Sequence, residues 1–169
     1  MQRRLFYPIA ILIIVSIAGC AVPLSKESRK KVDTNVTFEQ LIANPDMHVG
    51  KTVMFGGDII SCIPFADRTE VEIIQKPLGS RSIPKDTDDS AGRFLFVSKS
   101  FLDPAVYSPG RVITVIGVVR GSGKRSIGSI SYRYPIIEEV EHHLWSPRDL
   151  SPGMRFGVGV GVGVGVPRK

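Results

Sequence analysis

The sequence predicts a mainly β domain in which five strands close into a small barrel behind one short N-terminal helix. Three observations carry this expectation. Five runs between residues 51 and 140 are rich in β-branched and aromatic residues, and each is bounded by Gly, Pro or Asp, the pattern of strands divided by turns. Within the domain only one stretch, at Thr37, has a helix-start signature. The pair Gly56-Gly57 inside the first apolar run marks a bulge or a sharp bend, as small barrels use at their corners.

The helix comes first. Thr37-Phe38-Glu39-Gln40 fits a capping box, in which the threonine and glutamine side chains each satisfy an amide that the first turn leaves open. Phe38, Leu41 and Ile42 share one face, and Asn44-Pro45 ends the helix because proline disfavours helical geometry at the residue before it. The five strands are then expected at 51–63, 69–75, 93–98, 111–120 and 129–140. The fourth, with Val112, Ile113, Val115, Ile116, Val118 and Val119, is apolar on both faces, as a strand covered on both sides requires. Pro135 in the fifth marks an edge or a bulge. Residues 79–92 form a polar loop long enough for mobility or function. Residues 100–107 make a short helix or turn that plugs the barrel, and Trp145 anchors the close of the domain. Five strands, a bent first strand and a plug before the fourth resemble an OB-like barrel. An open meander or half of a sandwich uses the same elements.

The flanks have a different character. Arg3 and Arg4, an apolar run from Leu5 and the small residues before Cys20 lay out a signal peptide over residues 1–19. That run falls short of the ~20 residues a spanning helix needs, which makes a permanent span the weaker alternative. Ile17-Ala18-Gly19-Cys20 resembles a bacterial lipobox, in which the cysteine thiol takes a diacylglyceryl group. Cys20 is therefore the expected lipid-attachment residue, and several acyl chains together suffice for stable anchoring. Arg3-Arg4-Leu5-Phe6 also resembles part of a twin-arginine signal, although the strongly apolar segment favours the general secretory route. Neither Ala21 nor Val22 is acidic, which by the same resemblance favours the outer membrane, facing the periplasm. Residues 20–35 are polar and read as a flexible tether, 36–145 as the barrel domain, and 146–169 as a low-complexity tail ending in a Gly-Val alternation. For that tail an added edge strand, membrane contact and self-association stay open beside disorder.

Charge and chemistry constrain function. The formal charge of +6 falls to +4 when the leader takes Arg3 and Arg4 away, an ordinary solubility charge that also suits anionic lipid head groups. Cys62 is the one thiol left and, flanked by Ile59, Ile60 and Ile63, reads as a small core hydrophobe, with a reactive or intermolecular thiol as the alternative. His48, His142 and His143 have no zinc spacing, adjacent His142 and His143 pointing to opposite faces of a strand. Asp86, Asp88 and Asp89 lack the glycine and spacing of a calcium loop. Ser122-Gly123-Lys124 lacks the upstream glycines of a phosphate loop and reads as a basic turn between the fourth and fifth strands. Glu138, Glu139 and Glu141 read as the wet face of the last strand. No catalytic residue, metal ligand or cofactor is expected. Arg93, Arg111, Lys124, Arg125 and Arg133 offer a second reading, a groove for an anionic envelope glycan or lipopolysaccharide. Nucleic acid conflicts with the inferred compartment.

A set of short motifs then acts together. Asn44-Pro45, Gly50, Phe55-Gly56-Gly57-Asp58-Ile59-Ile60, Glu72-Ile73, Pro77-Leu78 and Gly92-Arg93-Phe94 are followed by Phe101-Leu102-Asp103-Pro104, Tyr107 and Gly110. Ile113-Thr114-Val115-Ile116-Gly117, Tyr134-Pro135 and His143-Leu144-Trp145 complete it. From the leader to Trp145 the chain resembles the Slp family of outer-membrane lipoproteins. The resemblance implies an envelope lipoprotein linked to starvation or stress, with Cys20 as the lipid site, no catalytic residues and no established enzymatic activity. The Gly-Val tail departs from the family's varied C-termini, so nothing is implied for it.

Overall fold

The computed structural model describes residues 23–150. The leader, Cys20 and the Gly-Val run lie outside the described residues. In chain order the elements are α1 (Lys26–Lys30), α2 (Phe38–Ala43), a 3-10 turn (Pro45–His48), β1 (Thr52–Pro64) and β2 (Thr69–Lys76). A second 3-10 turn (Ser80–Ser82), β3 (Arg93–Ser98), β4 (Val112–Ile127), β5 (Ile130–Leu144) and α3 (Pro147–Leu150) follow.

The strands close into a barrel in the order β1-β2-β3-β5-β4, with β4 returning to β1. Every pairing is antiparallel except β3 with β5. This closed five-stranded arrangement is OB-like, as expected. Between residues 56 and 58, β1 bonds to β2 on one edge and to β4 on the other. Glycine is needed there: a Cβ on Gly57 would lie 1.8 Å from the Ile74 carbonyl oxygen, and one on Gly56 2.7 Å from that of Ile113. The Gly56-Gly57 bend is thus a close approach of three backbones.

Inside, Val53, Ile59, Val71, Ile73, Phe96, Ile113, Val115, Val119 and Ile137 are buried in one core. α2 closes one end. Its capping box forms as read, with the Gln40 amide donating to Thr37 Oγ1 (3.3 Å) and the Thr37 amide to Gln40 Oε1 (3.1 Å). That start aims Phe38 and Leu41 into the barrel, where the Phe38 ring meets Phe55 edge-on at 5.1 Å and Phe94 at 5.8 Å. The plug of residues 100–107 is a turn rather than a helix. Thr69 fixes it, its hydroxyl donating to the Ser100 carbonyl (3.0 Å) and accepting from the Leu102 amide (3.1 Å), and Leu102 is buried.

Two expectations are corrected, and one loop gains detail. β4 and β5 run on as a long hairpin to a two-residue turn at Gly128-Ser129, so Ser122-Gly123-Lys124 lies within a strand. The sequence hides this because the outer hairpin is held by polar cross-strand and ionic pairs, Arg125 with Glu70 and Arg133 with Asp46, not by an apolar alternation. The loop at 79–92 is stitched to itself by the Leu78–Pro84 bridge and by the Lys85 amide on the Pro77 carbonyl (2.9 Å). Finally, the run expected as a free tether is packed on the barrel from Leu24 onward, Leu24 being 1% exposed. Its few apolar residues, such as Leu24 and Val32, are too widely spaced to give a periodicity for a sequence reading to detect.

Candidate functional site

The first group of interest is the seat of this N-terminal segment. Ser25 caps α1, its Oγ accepting from the Ser28 amide (3.1 Å). The same residue reaches β5: its amide donates to Glu141 Oε1 (2.9 Å) and its hydroxyl to Oε2 (2.7 Å). Burial works to raise the Glu141 carboxyl, but hydrogen bonds from Ser28 and Ser25 and the nearby Arg29 charge outweigh it and hold the group below its ordinary range. Further on, the Asp33 amide bonds to the Thr52 carbonyl (2.8 Å) and Lys51 pairs with the Asp33 carboxylate (2.8 Å). Residues 24–33 therefore lie along the outer wall made by β5, β4 and β1.

The second group lies under the plug. Tyr107 Oη and His142 Nε2 are 2.7 Å apart, and His142 Nδ1 and Glu139 Oε1 are 2.5 Å apart. A β-bulge makes this chain of bonds possible. Gly117 pairs with Glu139 and Ile116 with Glu141, leaving Val140 as the extra residue. Strict alternation would put Glu139 and His142 on opposite faces; the bulge resets it, and both point inward. Glu138 and Glu141 share the outer face for the same reason. The wet-face reading therefore holds for Glu138, which pairs with Lys99 and Arg120, and fails for Glu139.

A hydroxyl, an imidazole and a carboxylate thus stand in line, and their surroundings shift the two end groups in opposite directions. The His142 hydrogen bond holds Glu139 below its usual range, whereas burial and then the Glu139 charge push the Tyr107 phenol up. Burial and the Asp103 charge likewise push the Cys62 thiol up, and its Sγ lies 3.6 Å from the Leu102 carbonyl oxygen. Both groups are thereby disfavoured as free anions. The Tyr107–His142–Glu139 chain fastens the plug to β5.

The basic residues read as a groove are engaged within the molecule. Arg93 pairs with Glu72 (2.8 Å), Arg125 with Glu70 and Arg133 with Asp46. Arg111 donates to the Val106 and Trp145 carbonyls (3.0 and 3.2 Å). Of the five, Lys124 alone has no intramolecular partner among the described residues. A cleft of about 550 Å³ opens beside β4, lined by Asp58, Arg81, Lys85, Asp86 and Asp149 among others. Its charges are of mixed sign. At its rim the Ser82 carbonyl accepts from Thr114 Oγ1 (2.7 Å), which accepts in turn from Trp145 Nε1 (2.9 Å). Trp145 is buried and anchors the end of the domain, as expected. Among the described residues no group of His, Cys, Asp or Glu is arranged to hold a metal, and no helix is long and apolar enough to cross a membrane.

What the fold and these attachments define is a small OB-like barrel whose N-terminal segment is strapped to its own wall. Residues 17–156 match the outer membrane lipoprotein Slp family. The chain belongs to that family, and its location is that of an outer membrane lipoprotein. It is 26% identical over 135 residues to the outer membrane protein Slp of Escherichia coli K12, covering 79% of this chain and 71% of that one. It is 27% identical over 106 residues to the uncharacterized lipoprotein YeaY of the same organism, covering 63% of this chain and 54% of that one. The match therefore spans about half the length of YeaY. An uncharacterized protein of Haemophilus influenzae is 28% identical over 131 residues, 77% of this chain and 70% of its own. Among solved structures, the small single-stranded DNA-binding protein of Streptomyces coelicolor superposes with a TM-score of 0.38 at 12% identity, over 59% of this chain and 97% of that one. That likeness is too low to carry anything about what this chain binds.

Proposed function

We propose that the chain is exported by the leader at 1–19, acylated at Cys20 and held by those acyl chains on the outer membrane, with the barrel facing the periplasm. There it acts without enzymatic chemistry, as an interaction or reinforcing element of an envelope under stress or starvation. The observation that carries this reading is that the family match begins at Ile17, so it takes in Ile17-Ala18-Gly19-Cys20. The engagement of Tyr107, His142 and Glu139 with one another in holding the plug supports the non-enzymatic part. The pairing of Arg93, Arg125 and Arg133 speaks against a groove for lipopolysaccharide or another anionic envelope polymer, because a ligand would have to break those pairs first.

Palmitate labelling of wild type and Cys20→Ser, with separation of inner and outer membranes, tests the anchor. Label that needs Cys20 and follows the outer membrane is the expected result. An unlabelled wild type would return the leader to a plain signal peptide or membrane anchor.

A further inference from the structure

We propose that the barrel does not hang from its lipid on a leash but lies with one chosen wall, the outer face of β5 and the helix α1 strapped across it, against anionic phospholipid head groups. The proposal rests on Cys20 being the acylated residue and adds where the domain sits relative to it.

The argument begins with chain length. A tether running to residue 35 would let the domain roam far from the bilayer. The structure instead seats the chain from Leu24, which is 1% exposed, and Ser25, which makes two hydrogen bonds to Glu141. Only four residue steps then separate Cys20 from a fixed point on the barrel, a reach of at most ~14 Å. An acyl-cysteine sits at the head-group level, so the wall that carries Leu24 must face the bilayer, and the far side of the barrel cannot.

Charge on that wall agrees with the geometry. Lys26 and Lys30, one helical turn apart, are exposed, and Lys31 beside them is exposed as well. On the neighbouring outer face of β5, Lys99 and Arg120 flank Glu138 with side chains 85% and 54% exposed. On β5 the acidic groups are already engaged, Glu138 by those two cations and Glu141 by Ser25, while α1 has three exposed lysines in or beside it against the single exposed acid Glu27. Val140, pushed out by the bulge, adds a 40% exposed apolar side chain between the two glutamates. Exposed lysines around an apolar point next to a lipid anchor match the chemistry of phosphate head groups above acyl chains.

The test uses the full-length lipoprotein, reconstituted through its own anchor into vesicles of phosphatidylethanolamine and phosphatidylglycerol that carry a head-group quencher. A fluorophore is placed at Lys30→Cys or, as the comparison position off that wall, at Asp88→Cys in the loop between β2 and β3, both in a Cys62→Ala background. Strong quenching at position 30 and little at 88 is expected. Lys26→Glu with Lys31→Glu and Lys99→Glu, or phosphatidylcholine vesicles, should weaken the quenching at position 30 by loosening the head-group contact, while mass spectrometry still finds Cys20 acylated; unchanged quenching there would overturn the part played by anionic head groups. An acylated chain quenched equally at both positions overturns the docking proposal and leaves the anchor standing. A chain without acyl groups on Cys20 overturns the anchor, and the docking with it.

Discussion

His143 illustrates how much a single side chain on β5 is governed by its surroundings. Its ring lies edge-on to Trp145 at 4.5 Å, and burial is the main reason its imidazole sits below the ordinary 6.5, with Asp149 pulling the other way. Two positions before the bulge residue's far neighbour, Glu139 is held low by the His142 hydrogen bond despite partial burial. Both folded-state values lie below the unfolded ones, so in both cases the unfolded chain binds more protons and stability rises with pH. The imidazole's contribution is complete above 6.5 and is lost as pH falls from there through its lower folded value; the carboxylate's is lost at more acid pH, as it passes through its own. Melting temperature followed from neutral to acid pH should therefore fall in two stages. His143→Gln should flatten the first and Glu139→Gln the second. A melting profile of His143→Gln parallel to wild type between pH 7 and about 5 would show that His143 does not titrate as described.

At the scale of the element, glycine spacing decides whether the strands meet. Gly57→Ala puts a methyl carbon within 1.8 Å of the Ile74 carbonyl oxygen, a backbone atom that cannot turn aside. The expected cost is at least about 3 kcal/mol, read by urea denaturation, with β1–β2 pairing lost first. Gly128 is the contrast. It sits at φ +59° in the hairpin turn with nothing within 4 Å of a Cβ, so Gly128→Asn should cost under about 1 kcal/mol, since asparagine accepts left-handed backbone. These two glycines also mark what was readable. Gly56-Gly57 lies inside an apolar run and could be recognised as a bend, and the α2 capping box was legible because all its residues fall within one turn. The hairpin beyond Arg120 was not, since its partners, Glu70 and Asp46, are 55 and 87 residues away in sequence. The inward turn of Glu139 was hidden too, because a bulge at Val140 cannot be told from plain alternation without the opposite strand.

For the whole molecule, the strap formed by residues 24–33 is the structural feature that most changes the picture. Burying the Leu24 side chain contributes about 1.5–3 kcal/mol to holding it, so Leu24→Asp should raise local opening by at least about tenfold. Trypsin should then cut after Lys26, Lys30 and Lys31 much faster than in wild type, while the barrel keeps its melting temperature to within a few degrees. A general loss of the barrel in that variant would mean that the strap is part of the core. Neither outcome touches the barrel's own logic, in which fold class, capping helix and buried Trp145 all followed from the chain's pattern.

The seat of Ser25 also sets an order of events in time. Its partner Glu141 lies 116 residues later, and β1 must wait for β4 before the barrel can close. A chain emerging N-terminus first therefore presents residues 24–33 long before the surface that receives them exists. Pairings of such long sequence separation form slowly, on the scale of milliseconds to seconds. For that interval the first residues have no seat, and assembly finishes only when the last strand arrives to collect them.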